Sequence, residues 1–161
     1  MDELQRLTAE RDVRGLIHRF AWCIDRRDWD GFRNVLADEV DVTLDSTVGD
    51  SPAGPVPAGQ QVEQARDFFD KLDATHHHLT VYRIDLADDG RSAEVLTYFR
   101  AGHFKAHVLG GGSFDQAGHY EQRCVRTTDG WRLAGWRQFV AYTQGNAKLL
   151  ARGGDGTPGD D

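Results

Sequence analysis

The spacing of apolar residues changes once along this 161-residue chain, and that change limits what the chain can fold into. As far as residue 72 they recur mostly every three or four positions. After Asp73 they alternate, and turn-forming dipeptides separate the runs. Val13, Leu16, Ile17, Phe20, Ala21 and Ile24 make one stripe of a long first helix. Asp28 is a candidate N-cap for a shorter helix through Trp29, Phe32, Val35 and Leu36. Val40, Val42 and Leu44 alternate as a short strand. Residues 46–59 hold three of the four prolines and three glycines, which predicts a loop or flap. A third helix is expected from about Gln60 to Leu72.

Beyond it, Thr75–Leu86, Ser92–His107, His119–Thr127 and Trp131–Tyr142 read as strands. Asp88-Asp89-Gly90 and Asp129-Gly130 are turns between them, and Gly110–Gly112 is a loop. Helices segregated from an antiparallel meander define an α+β fold. Long strands predict a curved, largely antiparallel sheet wrapped around three helices as an open cone, with a cavity at its wide end. The length suits one domain, expected over residues 1–146, followed by a flexible, acidic, Gly-rich tail over 147–161.

Composition excludes several functions. The formal charge is −7, part of it in residues 153–161, which carry three Asp and no base. Without a clustered basic face, nucleic acid is not an expected partner. No apolar run is long enough to span a membrane, and the charged N-terminus lacks the apolar core of a signal peptide. A cytoplasmic location is therefore expected. Cys23 and Cys124 belong to no metal or redox spacing and read as buried thiols.

Three places carry candidate chemistry. Asp25 follows the apolar stripe at the end of the first helix, either near the buried face or paired with Arg26 or Arg27. His76-His77-His78 opens a strand, where neighbours point to opposite faces. Histidine is the first suspect for a general base near neutral pH, and a buried Asp would orient it. Tyr82, Ile84 and Leu86 look like the core face, so strict alternation sends His76 and His78 inward. A bulge between residues 78 and 82 would send His77 inward instead. His103 shares a face with Val95, Thr97, Phe99 and Ala101, which reads as interior, and Tyr120 adds a phenol. His76 and His78 with His103, His107 or His119 would make a metal site, but no Glu follows the HxH pair, so no metal is expected. Gly110–Gly112 lacks the lysine and helix of a phosphate loop.

The strings GLIHRFAWCIDRRDWDGFRNVLADEVDV, ATHHHLTVYRIDL and HYEQRCVRTTDGWRLAGWR fall in an order and spacing that resemble the SnoaL-like branch of the nuclear-transport-factor-2-like superfamily, over residues 5–146. Scytalone dehydratase and bile-acid 7α-dehydratases are related branches. The resemblance implies a cone-shaped α+β fold with an apolar pocket, no required cofactor, and an Asp–His dyad. Asp25 matches its acid, His77 its imidazole, and His103 a second histidine near the end of the next strand. Phe20 stands where some relatives have Tyr, and Tyr82 where many have His.

The expected function is a cofactor-independent lyase or cyclase/isomerase acting on a small, apolar, oxygenated metabolite, polyketide-like or steroid-like. His77, oriented by Asp25, would take a proton. His103 and a tyrosine, Tyr82 or Tyr120, would donate to the developing oxygen. His78, Phe20 and Phe99 would contact the substrate. The alternatives are a non-catalytic ligand-binding or assembly module, or the small subunit of a ring-hydroxylating dioxygenase. A homodimer or higher homo-oligomer is expected, the aromatic last strand (Trp131, Trp136, Phe139, Tyr142) supplying either an apolar patch or internal core.

Overall fold

The computed structural model of the protein describes residues 1–45 and 54–150. Helix α1 (Glu3–Arg26) starts at a capping box. The Asp2 side chain accepts from the Gln5 backbone N–H, and the Gln5 side chain returns a bond to the Asp2 N–H. Its apolar stripe lies against the sheet, with Val13, Leu16 and Ile17 fully buried. The helix ends where Arg27 turns into the left-handed region at φ 56°. The N–H of Arg27 then donates to the Ile24 carbonyl (3.1 Å) and that of Asp28 to the Cys23 carbonyl (2.9 Å). Asp28 next caps α2 (Trp29–Val35), accepting from Gly31 N–H at 2.9 Å.

Strand β1 (Leu36–Thr43) follows directly, four residues earlier than its apolar alternation suggests, because Leu36 turns extended as its side chain enters the core. Of the expected 46–59 loop, residues 46–53 lie outside the described residues. Val56–Pro57 form a short strand β2, and α3 (Ala58–Phe69) starts at once.

The remaining strands are β3 (Ala74–Leu86), β4 (Ser92–Phe104), β5 (Ser113–Thr127) and β6 (Gly130–Gly145). One six-stranded sheet runs in the order β2-β1-β6-β5-β4-β3, antiparallel throughout except for the parallel β1·β6 pair. The expected α+β architecture is the observed one, with a mixed sheet. Register shifts at Val81/Arg83, Ala117/Gly118 and Arg123/Cys124 bend it around the helices. β5 begins six residues before the expected start at His119. Gly118 lies inside β5 at a bulge, where a Cβ would collide with the Phe139 carbonyl. Ala147–Leu150, the start of the expected tail, form a 3₁₀ turn, and residues 151–161 lie outside the described residues.

Both cysteines are buried free thiols. No helix among the described residues is long and apolar enough to cross a membrane.

Candidate active site

The core fills the cone with Val95, Phe99, Leu133 and their neighbours, but at one end the filling stops and leaves a cavity of about 120 Å³. Phe20 and Ile24 of α1, Gln61, Ala65, Phe68 and Phe69 of α3, and Trp136 and Gln138 of β6 are among its walls. His77, His103, Gln116 and Tyr120 complete the polar part. Two imidazoles therefore face one small, mostly apolar space.

His77 reaches it because of a bulge. Residues 77, 79 and 81 point inward and 76, 78 and 80 outward; the shift at Val81/Arg83 then turns Ile84 and Leu86 inward again. The bulged residue is Tyr82, which turns outward, 68% exposed, and packs on Tyr98. The expectation that Tyr82 contributes to the cavity is thereby corrected. His78 is corrected for the same reason: it sits on the outer side of β3, across the strand from His77. Phe99 is buried but forms no part of the lining; it stacks on Tyr120 at 4.4 Å. Phe20 and Tyr120 do line the cavity.

Asp25 comes from the last turn of α1 and meets the start of β3 three times. Its Oδ2 accepts from His77 N–H (2.7 Å), and its Oδ1 accepts from Thr75 Oγ1 (3.0 Å) and His77 Nδ1 (2.7 Å). Burial pushes the Asp25 carboxyl up. The bond and charge of His77, its backbone N–H and the Thr75 hydroxyl outweigh that, so the group is held below the ordinary Asp range. An ionised carboxylate can only accept, so Nδ1 of His77 carries a proton, and in the neutral ring Nε2 holds the free lone pair. The carboxylate and the imidazole are both largely shielded from solvent.

Arg27 does not pair with Asp25. Its guanidinium donates to the Ile24 carbonyl, the Phe69 carbonyl and Thr75 Oγ1, each at 2.8 Å, so it ties the ends of α1 and α3 to the start of β3. Sequence reading missed both Thr75 and this use of Arg27. The Thr directly before the histidine run was the available signal, since a hydroxyl two residues from His77 shares its face.

His103 is held differently. Its Nδ1 bonds the Phe114 carbonyl at 3.1 Å. A carbonyl only accepts, so Nδ1 is the protonated nitrogen and Nε2 is an acceptor. Burial, then the charge of His77, depress its pKa to about 4. Near neutrality His103 is therefore an uncharged acceptor, which corrects its expected part as donor to a developing oxygen. Phe69 stands against both rings, stacked 6.3 Å from His103 and edge-on 5.7 Å from His77; the imidazoles are 5.9 Å apart.

Tyr120, unlike His103, presents a hydroxyl donor to the cavity lining. Burial pushes its phenol well above the ordinary range, so it stays protonated. The neighbouring Gln138 side chain works weakly the other way, and Gln138 Oε1 has no partner among the described residues. The Tyr120 O–H is therefore not spent on that amide oxygen. No group of three or more His, Cys, Asp or Glu with metal-site spacing occurs among the described residues.

A curved α+β cone with helices against its concave face is the architecture of the nuclear-transport-factor-2-like superfamily. The family model for the SnoaL-like domain matches residues 5–137, and the chain belongs to that family. Among solved structures it is similar to the Kfla4162 protein of Kribbella flavida, with 29% identity over 90% of this chain and 98% of that one and a TM-score of 0.82. It is also similar to a type 2 hexachlorocyclohexane dehydrochlorinase, LinA, with 14% identity over 90% and 93% of the two chains and a TM-score of 0.75. A candidate scytalone dehydratase from Novosphingobium aromaticivorans DSM 12444 gives 14% identity, 88% and 90% coverage, and a TM-score of 0.70. At 14% identity the last two likenesses speak to fold. Comparison with curated proteins finds no match.

Proposed function

We propose that the protein is a cofactor-independent lyase or isomerase that moves a proton on a small, neutral, oxygenated metabolite. The observation that carries this is the buried 2.7 Å bond between Asp25 and His77 Nδ1, with His77 facing a cavity. In this reading His77 Nε2 removes a proton from the carbon alpha to a carbonyl. The electron pair moves onto the carbonyl oxygen, where the Tyr120 O–H donates to the developing enolate. The imidazolium beside ionised Asp25 forms a neutral pair. It then returns the proton, either to a β-hydroxyl that leaves as water or to another carbon. His103 accepts a hydrogen bond from a substrate hydroxyl and orients it.

A non-catalytic module of this fold would have a packed pocket and the two groups apart. The empty space beside Trp136 and the short Asp25–His77 bond argue for the enzyme. The cavity volume is on the scale of a single ring. A monocyclic polyketide-like compound fits that volume better than a four-ring steroid. The expected aromatic patch of the last strand divides: Trp131 and Trp136 are core, Phe139 and Tyr142 are exposed. Phe139 continues through His119 and Tyr98 to Tyr82, an aromatic row across four strands of the outer face. That row is the surface on which a second copy would dock. Tyr98→Lys should then reduce the sedimentation coefficient to that of a single chain.

The test of the chemistry reads proton abstraction itself. 3-Hydroxycyclohexanone in D₂O should exchange its alpha protons with protein present, and Asp25→Asn and His77→Ala should each slow that exchange by at least ~10²-fold. Exchange at the unaltered rate in both folded variants would remove the dyad from the mechanism.

A further inference from the structure

Three buried glutamines open onto the cavity from three different walls: Gln61 from α3, Gln116 from β5 and Gln138 from β6. Each is more than nine-tenths buried. Each keeps a buried polar atom without a hydrogen-bond partner among the described residues: Gln116 Nε2, Gln61 Oε1 and Gln138 Oε1. Buried amides are nearly always paired, because an unpaired one keeps its desolvation cost and recovers nothing. One orphan would be an accident of packing. Three that line the same hollow, where leucine would fit the apolar surroundings, indicate that a ligand supplies the missing bonds. Gln122 Nε2 is also unpaired, but Gln122 does not line the cavity and its oxygen is taken by Thr97.

We propose that Gln61, Gln116 and Gln138 form a specificity subsite that reads an uncharged ring bearing one carbonyl and at least two hydroxyls. The unpaired N–H requires a ligand acceptor, and the two unpaired amide oxygens require ligand donors. A ketone oxygen and hydroxyl groups provide these. Among the described lining residues there is no Lys, Arg, Asp or Glu, so a carboxylate or a phosphate would meet no permanent cation and would lie close to the Asp25 carboxylate behind His77. A halogen substituent donates no hydrogen bond and would leave both amide oxygens unpaired. Such mismatches against a hydrogen-bonding site are heavily penalised. The subsite rests on the cavity being the substrate site, as proposed above, but not on the dyad being the base.

The experiment measures binding by the side-chain amide signals of the ¹⁵N-labelled full chain. The probes are 3,5-dihydroxycyclohexanone, chlorocyclohexane and cyclohexanecarboxylate at pH 7. The hydroxyketone should bind at least ~10-fold more tightly than either of the others and shift the Gln116 amide. Gln116→Leu and Gln138→Leu should each weaken it by about tenfold and leave chlorocyclohexane unchanged or tighter. Dispersed backbone amides establish that a variant folds, and if one does not, the other and the ranking in the unaltered chain decide. Equal affinity for the three probes, no binding of the hydroxyketone, or unaltered affinity in the folded leucine variants would overturn the subsite. Asp25→Asn separates the two proposals: the ranking should persist there. If it persists while exchange is also unaffected, the subsite stands and the dyad falls.

Discussion

The two histidines of the cavity stand 5.9 Å apart and are held in opposite ways. His77 gives its Nδ1 proton to a carboxylate kept ionised by further donors. His103 gives its Nδ1 proton to a neutral carbonyl on the neighbouring strand. Both are then left with an Nε2 acceptor, but only one has a negative charge ready to compensate a proton arriving there. A positive charge on His77 would be neutralised by Asp25. One on His103 would face buried surroundings and the repulsion of His77, which is why burial carries its pKa down to about 4. One kind of side chain is thus held in two electrostatic settings, one with a carboxylate and one with a carbonyl at the far nitrogen, and that difference decides how readily each ring can take up a proton.

The comparison breaks first on rate. Asp25→Asn and His77→Ala should lower proton exchange by ~10²–10⁴-fold. His103→Asn should cost less than about tenfold, and mainly in apparent binding, since it loses an orienting acceptor. Equal losses at His77 and His103, measured as kcat under saturation, would mean that both transfer protons.

The next effect is on stability. With the folded pKa of His103 near 4 against 6.5 in the unfolded chain, the unfolded state binds more protons between those values. The stability this group contributes is complete above pH 6.5 and is lost as pH falls toward 4. The full difference is of order 3 kcal/mol. Urea titrations at intervals across that window should show a slope that His103→Asn flattens. A slope unchanged by the substitution would mean that the ring is protonated inside the fold.

Much of this difference was legible in the chain, and what was not has a local cause. Helix α1, its end near Asp25 and the inward face of β4 carrying His103 follow from spacing alone. The histidine run was ambiguous because period-2 alternation from Tyr82, Ile84 and Leu86 points to the wrong residues. The bulge at Tyr82 breaks that phase, and one inserted residue moves every side chain beyond it to the other face. Gln116 was missed for a related reason. The strand was expected to start only at His119, so the residues before it were not read as strand, and the inward phase of Phe114 and Gln116 was not counted. The tautomers of the histidines depend on partners far apart in sequence, Asp25 and Phe114, and no local pattern contains them.

Arg27 tests whether the carboxylate side depends on its scaffold. It occupies a left-handed position and replaces solvent for two carbonyls and a hydroxyl at the junction of α1, α3 and β3. Arg27→Ala keeps the backbone strain and removes those bonds. It should cost about 2 kcal/mol of stability, read from the urea midpoint at constant slope. Loss of exchange beyond what Asp25→Asn produces would mean that the guanidinium does more than support.

Thr75→Val gives the smallest change and the sharpest view of how the acid is held. Valine matches threonine in shape and removes only the hydroxyl that donates to Asp25 Oδ1 at 3.0 Å. Asp25 has a folded pKa below its unfolded value of 3.8. Its contribution to stability is therefore present above pH 3.8 and is lost as pH falls through the lower folded value. Without the Thr75 donor the carboxylate is less favoured, its folded pKa rises toward 3.8, and the acid limb of the stability curve becomes shallower. The hydroxyl's bonds to Asp25 and to the Arg27 guanidinium both go, so the loss at neutral pH should be about 1.5 kcal/mol, with exchange slowed by less than about tenfold. The two His77 bonds to Asp25 remain, so the imidazole keeps its tautomer. If the acid limb did not move, Thr75 would be holding Arg27 rather than the carboxylate, and the ionisation of Asp25 would rest on His77 alone.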